Sequence, residues 1–177
     1  SDPIGNLKAD LAEKWGVSIK VIVVAGGGDN AVAACGVGAL KEGDAFVSLG
    51  TSGVLLAAKD SYSPLPASAV HTFCHAVPGK WYQMGVILAA TDSLNWLARN
   101  LEADAAALSN ALGDRIDGPN AMQFLPYLSG ERTPHNDSKV RGAFLNIDIS
   151  ASRNDLTQAA MEGVSFAPVS YTHLRAH

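Results

Sequence analysis

Leu7, Leu11 and Trp15 recur at four-residue spacing with Lys8, Asp10, Glu13 and Lys14 between them, which predicts a short amphipathic helix ending at Gly16. Ile19 to Ala25 reads as a buried strand. After Gly26, Gly27 and Gly28, the small residues from Asn30 to Leu40 predict a tightly packed helix, weakened by Gly36 and Gly38. Ala45 to Leu49 and Gly53 to Ala58 are two apolar runs separated by Gly50-Thr51-Ser52, a spacing that favours an antiparallel hairpin, and Trp81 to Leu88 predicts a strand beside them.

Downstream, Leu94, Leu97 and Leu101 form one face of a helix, and a second helix is predicted over 103–112. Phe124 to Pro134 combines a short strand with a polar loop, Gly142 to Ile147 is another strand, and a helix follows from Ser152 to Ala167. The pattern is α/β, with an antiparallel hairpin at the start of the sheet.

The 177 residues are 47% hydrophobic and 17% charged, enough for one domain or a large piece of one. A net charge of −4 with scattered Lys and Arg offers no basic stripe for nucleic acid. The chain has no apolar run of about 18 residues, and Ser1-Asp2-Pro3 does not open a secretory signal, so a cytoplasmic protein without membrane partners is expected. Cys35 and Cys74 are expected to be buried thiols. His71 and His75 share one face of a strand while Cys74 faces away, which disfavours a metal site. Trp15, Trp81 and Trp96 are expected in the core or at domain contacts.

Two segments carry candidate chemistry. Val23-Val24-Ala25-Gly26-Gly27-Gly28-Asp29-Asn30 puts an acid and an amide where a strand opens into a helix, with glycines that let a substrate approach the backbone. Asp29 could accept the proton of an attacking hydroxyl, and Asn30 could hold neighbouring hydroxyls. The plainer reading is that Asp29 caps the helix. A dinucleotide fingerprint from Gly26, Gly28 and Ala31 with Asp44 is the competing one, opposed by the carboxylate of Asp29 at the position a pyrophosphate would need. The second segment, Leu49-Gly50-Thr51-Ser52-Gly53, supplies backbone N–H groups and two hydroxyls suited to terminal phosphates. No Walker-type loop is present. In the polar loop Gly130 to Asp137, an ion pair from Glu131 or Arg132 is expected to fix the conformation.

Taken in order, Ala25-Gly-Gly-Gly-Asp-Asn30, Ser48-Leu-Gly-Thr-Ser-Gly53 and Phe124-Leu-Pro-Tyr-Leu-Ser-Gly-Glu-Arg-Thr-Pro134 resemble the FGGY carbohydrate kinases over roughly residues 4 to 167. His71-Thr-Phe-Cys-His-Ala76, Pro78-Gly79 and Leu128 to Asn136 are similar to the xylulokinase branch. The resemblance implies part of an actin-like ATPase (ribonuclease H-like) fold. It also implies ATP and Mg2+ as cofactors, a ketose substrate (D-xylulose first, with L-ribulose and gluconate as alternatives), and scope for a homodimer of the whole enzyme. It makes Asp29 the general base, Asn30 a ketose contact, and Gly50, Thr51 and Ser52 the phosphate contacts. Asp29 and Thr51 are then expected to approach one another across a shallow half-cleft. A non-catalytic nucleotide-binding domain of the same class is the remaining alternative.

By that resemblance, residues 1–18 close a first domain or link two domains, and 19–167 open a second. The stretch 168–177 departs from the pattern and reads as a foreign junction or truncated gene end. Pro168 is expected to stop or fray the last helix near Ala167.

Overall fold

The computed structural model describes residues 2–115 and 118–174. Its centre is a four-stranded antiparallel sheet of β3 (Ala45–Leu49), β4 (Gly53–Lys59), β5 (His71–Cys74) and β6 (Trp81–Ile87), in the order β3-β4-β6-β5. A ribbon of β1 (Pro3–Asn6) and β2 (Ile22–Val24) precedes it, and a second ribbon of β7 (Gln123–Leu125) and β8 (Ala143–Leu145) follows. The helices are α1 (Ala9–Trp15), α2 (Asp29–Val37), α3 (Thr91–Asn100), α4 (Ala105–Asn110) and α5 (Arg153–Leu174).

Alternation along the strands divides the core between two faces. Leu56 of β4 and Tyr82 of β6 pack with Ala31, Ala34 and Ala39, and the alanine face of α2 brings that helix close to the sheet. On the other face, Ile87 and Ala90 pack with Leu55 and with Val164 of α5. Leu97 of α3, Phe124 of β7 and Ala159 and Ala160 of α5 continue that layer. The hairpin β3–β4 is antiparallel in the expected register, Leu49 opposite Gly53, so the parallel unit that a dinucleotide fold requires is absent here.

Loop residues take over the outer edge of β6 where β5 ends. β5 pairs with β6 only as far as Met84. Beyond it, Thr133 N–H donates to the Val86 carbonyl at 3.3 Å, and the Val86 N–H donates to Thr133 Oγ1 at 3.2 Å. The next outward N–H, that of Leu88, donates to Glu131 Oε1 at 3.1 Å. Glu131 is 3% exposed and Thr133 is fully buried. The polar loop is thus fixed by side chains that stand in for a strand. Among the described residues neither Glu131 nor Arg132 forms an ion pair, which corrects the expectation: the loop is held instead by Glu131 Oε1 accepting the backbone N–H groups of Leu88 and Arg132.

Other expectations also change. Residues 19–25 do not form a buried strand: only Ile22–Val24 is extended, and Ile22 and Val24 are 58% and 50% exposed, since nothing described covers the ribbon. Trp15 is exposed for the same reason, at the end of a helix with only Ala12 buried. Both cysteines are exposed: Cys35 lies on α2 away from the sheet, and Cys74 ends the edge strand β5. The last helix does not stop near Ala167. α5 runs through Pro168 to Leu174, because a proline removes one N–H while the bonds on either side persist. Residues 175–177 of the tail lie outside the described residues.

Two measurements check this packing. A Cβ on Gly163 of α5 would collide with the carbonyl oxygen of Phe124, so Gly163→Ala should destabilise by about 1–3 kcal/mol despite its better helix propensity; a higher melting temperature would contradict the close approach. Burial pushes the Glu131 carboxyl up, only partly offset by the N–H groups of Arg132 and Leu88 and the positive charges of His135 and Arg132. The folded chain then keeps this proton to higher pH than the unfolded chain, so the contribution falls as pH rises from the ordinary glutamate range through the folded value. Glu131→Gln should flatten that fall in pH-dependent denaturation curves, and identical slopes would contradict it.

Candidate functional site

The glycine segment leads into α2, whose N-cap is Gly28, so Asp29 occupies the first helical position rather than the cap. Its Oδ1 accepts from the Asn30 N–H at 2.7 Å and from Asn30 Nδ2 at 3.2 Å. Among the described residues, Oδ2 has no hydrogen-bond donor. Burial raises the pKa of the Tyr82 phenol, with smaller electrostatic contributions from Asp29 and Cys74.

The turn Gly50-Thr51-Ser52 is exposed and closes the β3–β4 hairpin. The Gly50 and Thr51 carbonyls face α3, while the Ser52 carbonyl accepts from the Gly50 N–H at 3.0 Å within the turn. Ala90, the N-cap of α3, has no side-chain cap. Instead the Ala90 N–H donates to the Thr51 carbonyl at 2.8 Å, and the Thr91 N–H and Oγ1 donate to the Gly50 carbonyl at 3.0 and 2.8 Å. The turn therefore serves as the helix cap, satisfying N–H groups that an α-helix leaves orphaned. A Cβ on Gly53 would lie 2.6 Å from Ile87 Cγ1 and 3.2 Å from the Ala90 Cβ, so glycine permits the approach. With the carbonyls committed inward, the Thr51 and Ser52 N–H groups and both hydroxyls have no protein acceptor among the described residues.

The structure thus brings Asp29 and Asn30 together and brings Gly50, Thr51 and Ser52 together, but no hydrogen bond or ion pair joins the two sets among the described residues. Gly27 lies against Ala76, in the connection between β5 and β6, with 3.5 Å between the Ala76 Cβ and an ideal Cβ on Gly27, whereas the turn adjoins Ile87 and Ala90 at the far end of β6. The expected approach of Asp29 and Thr51 is therefore not seen in this chain: Gly27, before Asp29, adjoins the connection leading into the start of β6 and the turn adjoins its end. Thr91 escaped the sequence reading, although a Thr-Asp pair just ahead of the Leu94 periodicity is a helix-start signal. His75, considered there as a metal ligand, bridges α2 to the sheet: Nε2 bonds the Ala39 carbonyl at 3.0 Å, and Nδ1 accepts from the Val77 N–H at 3.0 Å.

Comparison with known proteins agrees with this architecture. Residues 45–169 match the model of the FGGY family of carbohydrate kinases, C-terminal domain. The xylulose kinase of Escherichia coli (strain K12) is 43% identical over 168 residues, which are 94% of this chain and 34% of that enzyme. The crystal structure of a xyloylose kinase from Brucella ovis superposes with a TM-score of 0.92 at 50% identity, covering 99% of this chain and 36% of the other. The xylulose kinase structure from Rhodospirillum rubrum gives 0.83 at 26% identity, with 97% and 35% covered. The chain spans about a third of the length of the curated relatives it matches. With the matched segment running from the first strand of the central sheet into α5, the chain belongs to the FGGY family of carbohydrate kinases and has part of their actin-like ATPase fold.

Proposed function

We propose that this chain is the part of an ATP-dependent ketose kinase that carries the general base and holds the transferred phosphate, with D-xylulose as substrate and D-xylulose 5-phosphate as product. The observation that carries the reading is the Gly50–Ser52 turn: the Gly50 and Thr51 carbonyls cap α3, and the Thr51 and Ser52 N–H groups and hydroxyls have no protein acceptor among the described residues. Such preorganised donors suit the anionic terminal phosphates of a nucleotide. The choice of ketose is supported by the xylulose kinases among the relatives. Residues 1–18 would close the first domain and 19–167 open the second.

In this reading Asn30 holds ketose hydroxyls and Asp29 Oδ2 takes the proton of the 5-hydroxyl. The hydroxyl oxygen bonds to the γ-phosphorus as the bond from that phosphorus to the β-phosphate oxygen breaks, releasing ADP. Magnesium would be held largely by the phosphates and water, which suits its small, reluctantly dehydrated ion. Among the described residues no group of three or more His, Cys, Asp or Glu side chains is placed to bind a metal without them.

The test is a chimera in which residues 4–167 replace the matching third of the Escherichia coli xylulose kinase. ATP-dependent phosphorylation of D-xylulose is expected, with kcat reduced roughly 10²- to 10⁴-fold by Asp29→Asn. Thr51→Val should lower kcat/KM for ATP by about 1.5–3 kcal/mol, the worth of a hydrogen bond to a charged group. A folded chimera that phosphorylates no ketose, or that keeps full activity with Asp29→Asn, would contradict the proposal.

A further inference from the structure

Glu131 is the most deeply buried acid described, and the chemistry above leaves it unused. Its Oε1 accepts two backbone N–H groups, from Leu88 at 3.1 Å and Arg132 at 2.7 Å, while Oε2 is buried with no partner. A carboxyl with an unsatisfied buried oxygen is a costly way to fill a core. An aliphatic side chain would bury as well but would leave both N–H groups orphaned. What the acid secures is the position of Leu88.

Leu88 is the last residue before the corner that turns β6 into α3. Two residues on, Ala90 and then Thr91 donate to the carbonyls of Thr51 and Gly50. Ser93 Oγ closes the corner by donating to the Ala89 carbonyl at 2.8 Å, fully buried. Glu131 therefore holds one side of a short rigid segment whose other side aims the turn. We infer that Glu131 is a positioning residue: by holding Leu88 it fixes the β6–α3 corner, and through it the phosphate-facing N–H groups of Thr51 and Ser52. The inference deepens the kinase reading and, for its effect on ATP, rests on it.

Burial raises the Glu131 pKa, and Oε1 can accept from Leu88 in either protonation state. Glu131→Gln keeps the same acceptor and shape, whereas Glu131→Leu keeps the bulk and loses the acceptor. In the chimera, Glu131→Leu should raise KM for ATP about tenfold or more, the scale of a small misplacement, with KM for D-xylulose unchanged, and Glu131→Gln should restore the parent value. A folded Glu131→Leu with unchanged KM for ATP would overturn the inference, as would Glu131→Gln failing as badly as Glu131→Leu.

A second readout does not depend on catalysis. Amide hydrogen exchange on the 177-residue chain should accelerate at Ala90 and Thr91 in Glu131→Leu and stay at the parent rate in Glu131→Gln, with Leu56 of β4 slow in both. Unchanged exchange at Ala90 and Thr91, or acceleration throughout the sheet, would overturn the inference. If the chimera lacks kinase activity while the exchange pattern appears, the kinase reading fails and the positioning role stands.

Discussion

Hydrogen bonding between the β3–β4 turn and the N-terminus of α3 is the constraint on which the site depends. A helix start needs acceptors for its first N–H groups, and a tight turn needs its carbonyls pointed somewhere. Here each meets the other's requirement: Gly50 and Thr51 supply the acceptors, and Ala90 and Thr91 the donors. Because both carbonyls are drawn inward, the opposite side of the turn is left rich in donors. Gly53 permits the approach by presenting no side chain to Ile87 and Ala90. In the proposed reading, a phosphate cradle is thus a by-product of capping a helix with a hairpin.

The rest of the domain holds those two elements in register. α2 covers one sheet face through alanines, and α5 covers the other. The outer edge of β6 is completed by Thr133 and Glu131, which reach it from far along the sequence. The surface pairs Lys59–Glu42 and Lys80–Asp60 lie at the opposite end of the sheet, where exposed ion pairs add little stability. Backbone bonding, rather than surface charge, therefore sets the site.

Much of this was legible along the chain because it is local. The Gly50-Thr51-Ser52 spacing between two apolar runs specified the antiparallel hairpin, and the Leu94, Leu97, Leu101 spacing specified α3. The Asp29-Asn30 pair at a helix start was visible for the same reason. What was missed depends on contacts between distant residues. No pattern near Glu131 indicates that its carboxyl serves Leu88, so an ion pair was the natural expectation for a charged residue in a polar loop. Residues 19–25 look like a core strand by hydrophobicity alone, yet among the described residues the strand they contain pairs only with β1. Pro168 interrupts one hydrogen bond, not a whole helix, and local rules overstate its effect.

The most direct test is an amide-resolved NMR titration of the isotope-labelled chimera with Mg2+ and a non-hydrolysable ATP analogue. The account predicts that the largest shift changes fall on the Thr51 and Ser52 amides, with smaller changes at Ala90 and Thr91 behind them. Saturating binding that leaves Thr51 and Ser52 unperturbed would contradict it, since the turn would then be only a helix cap.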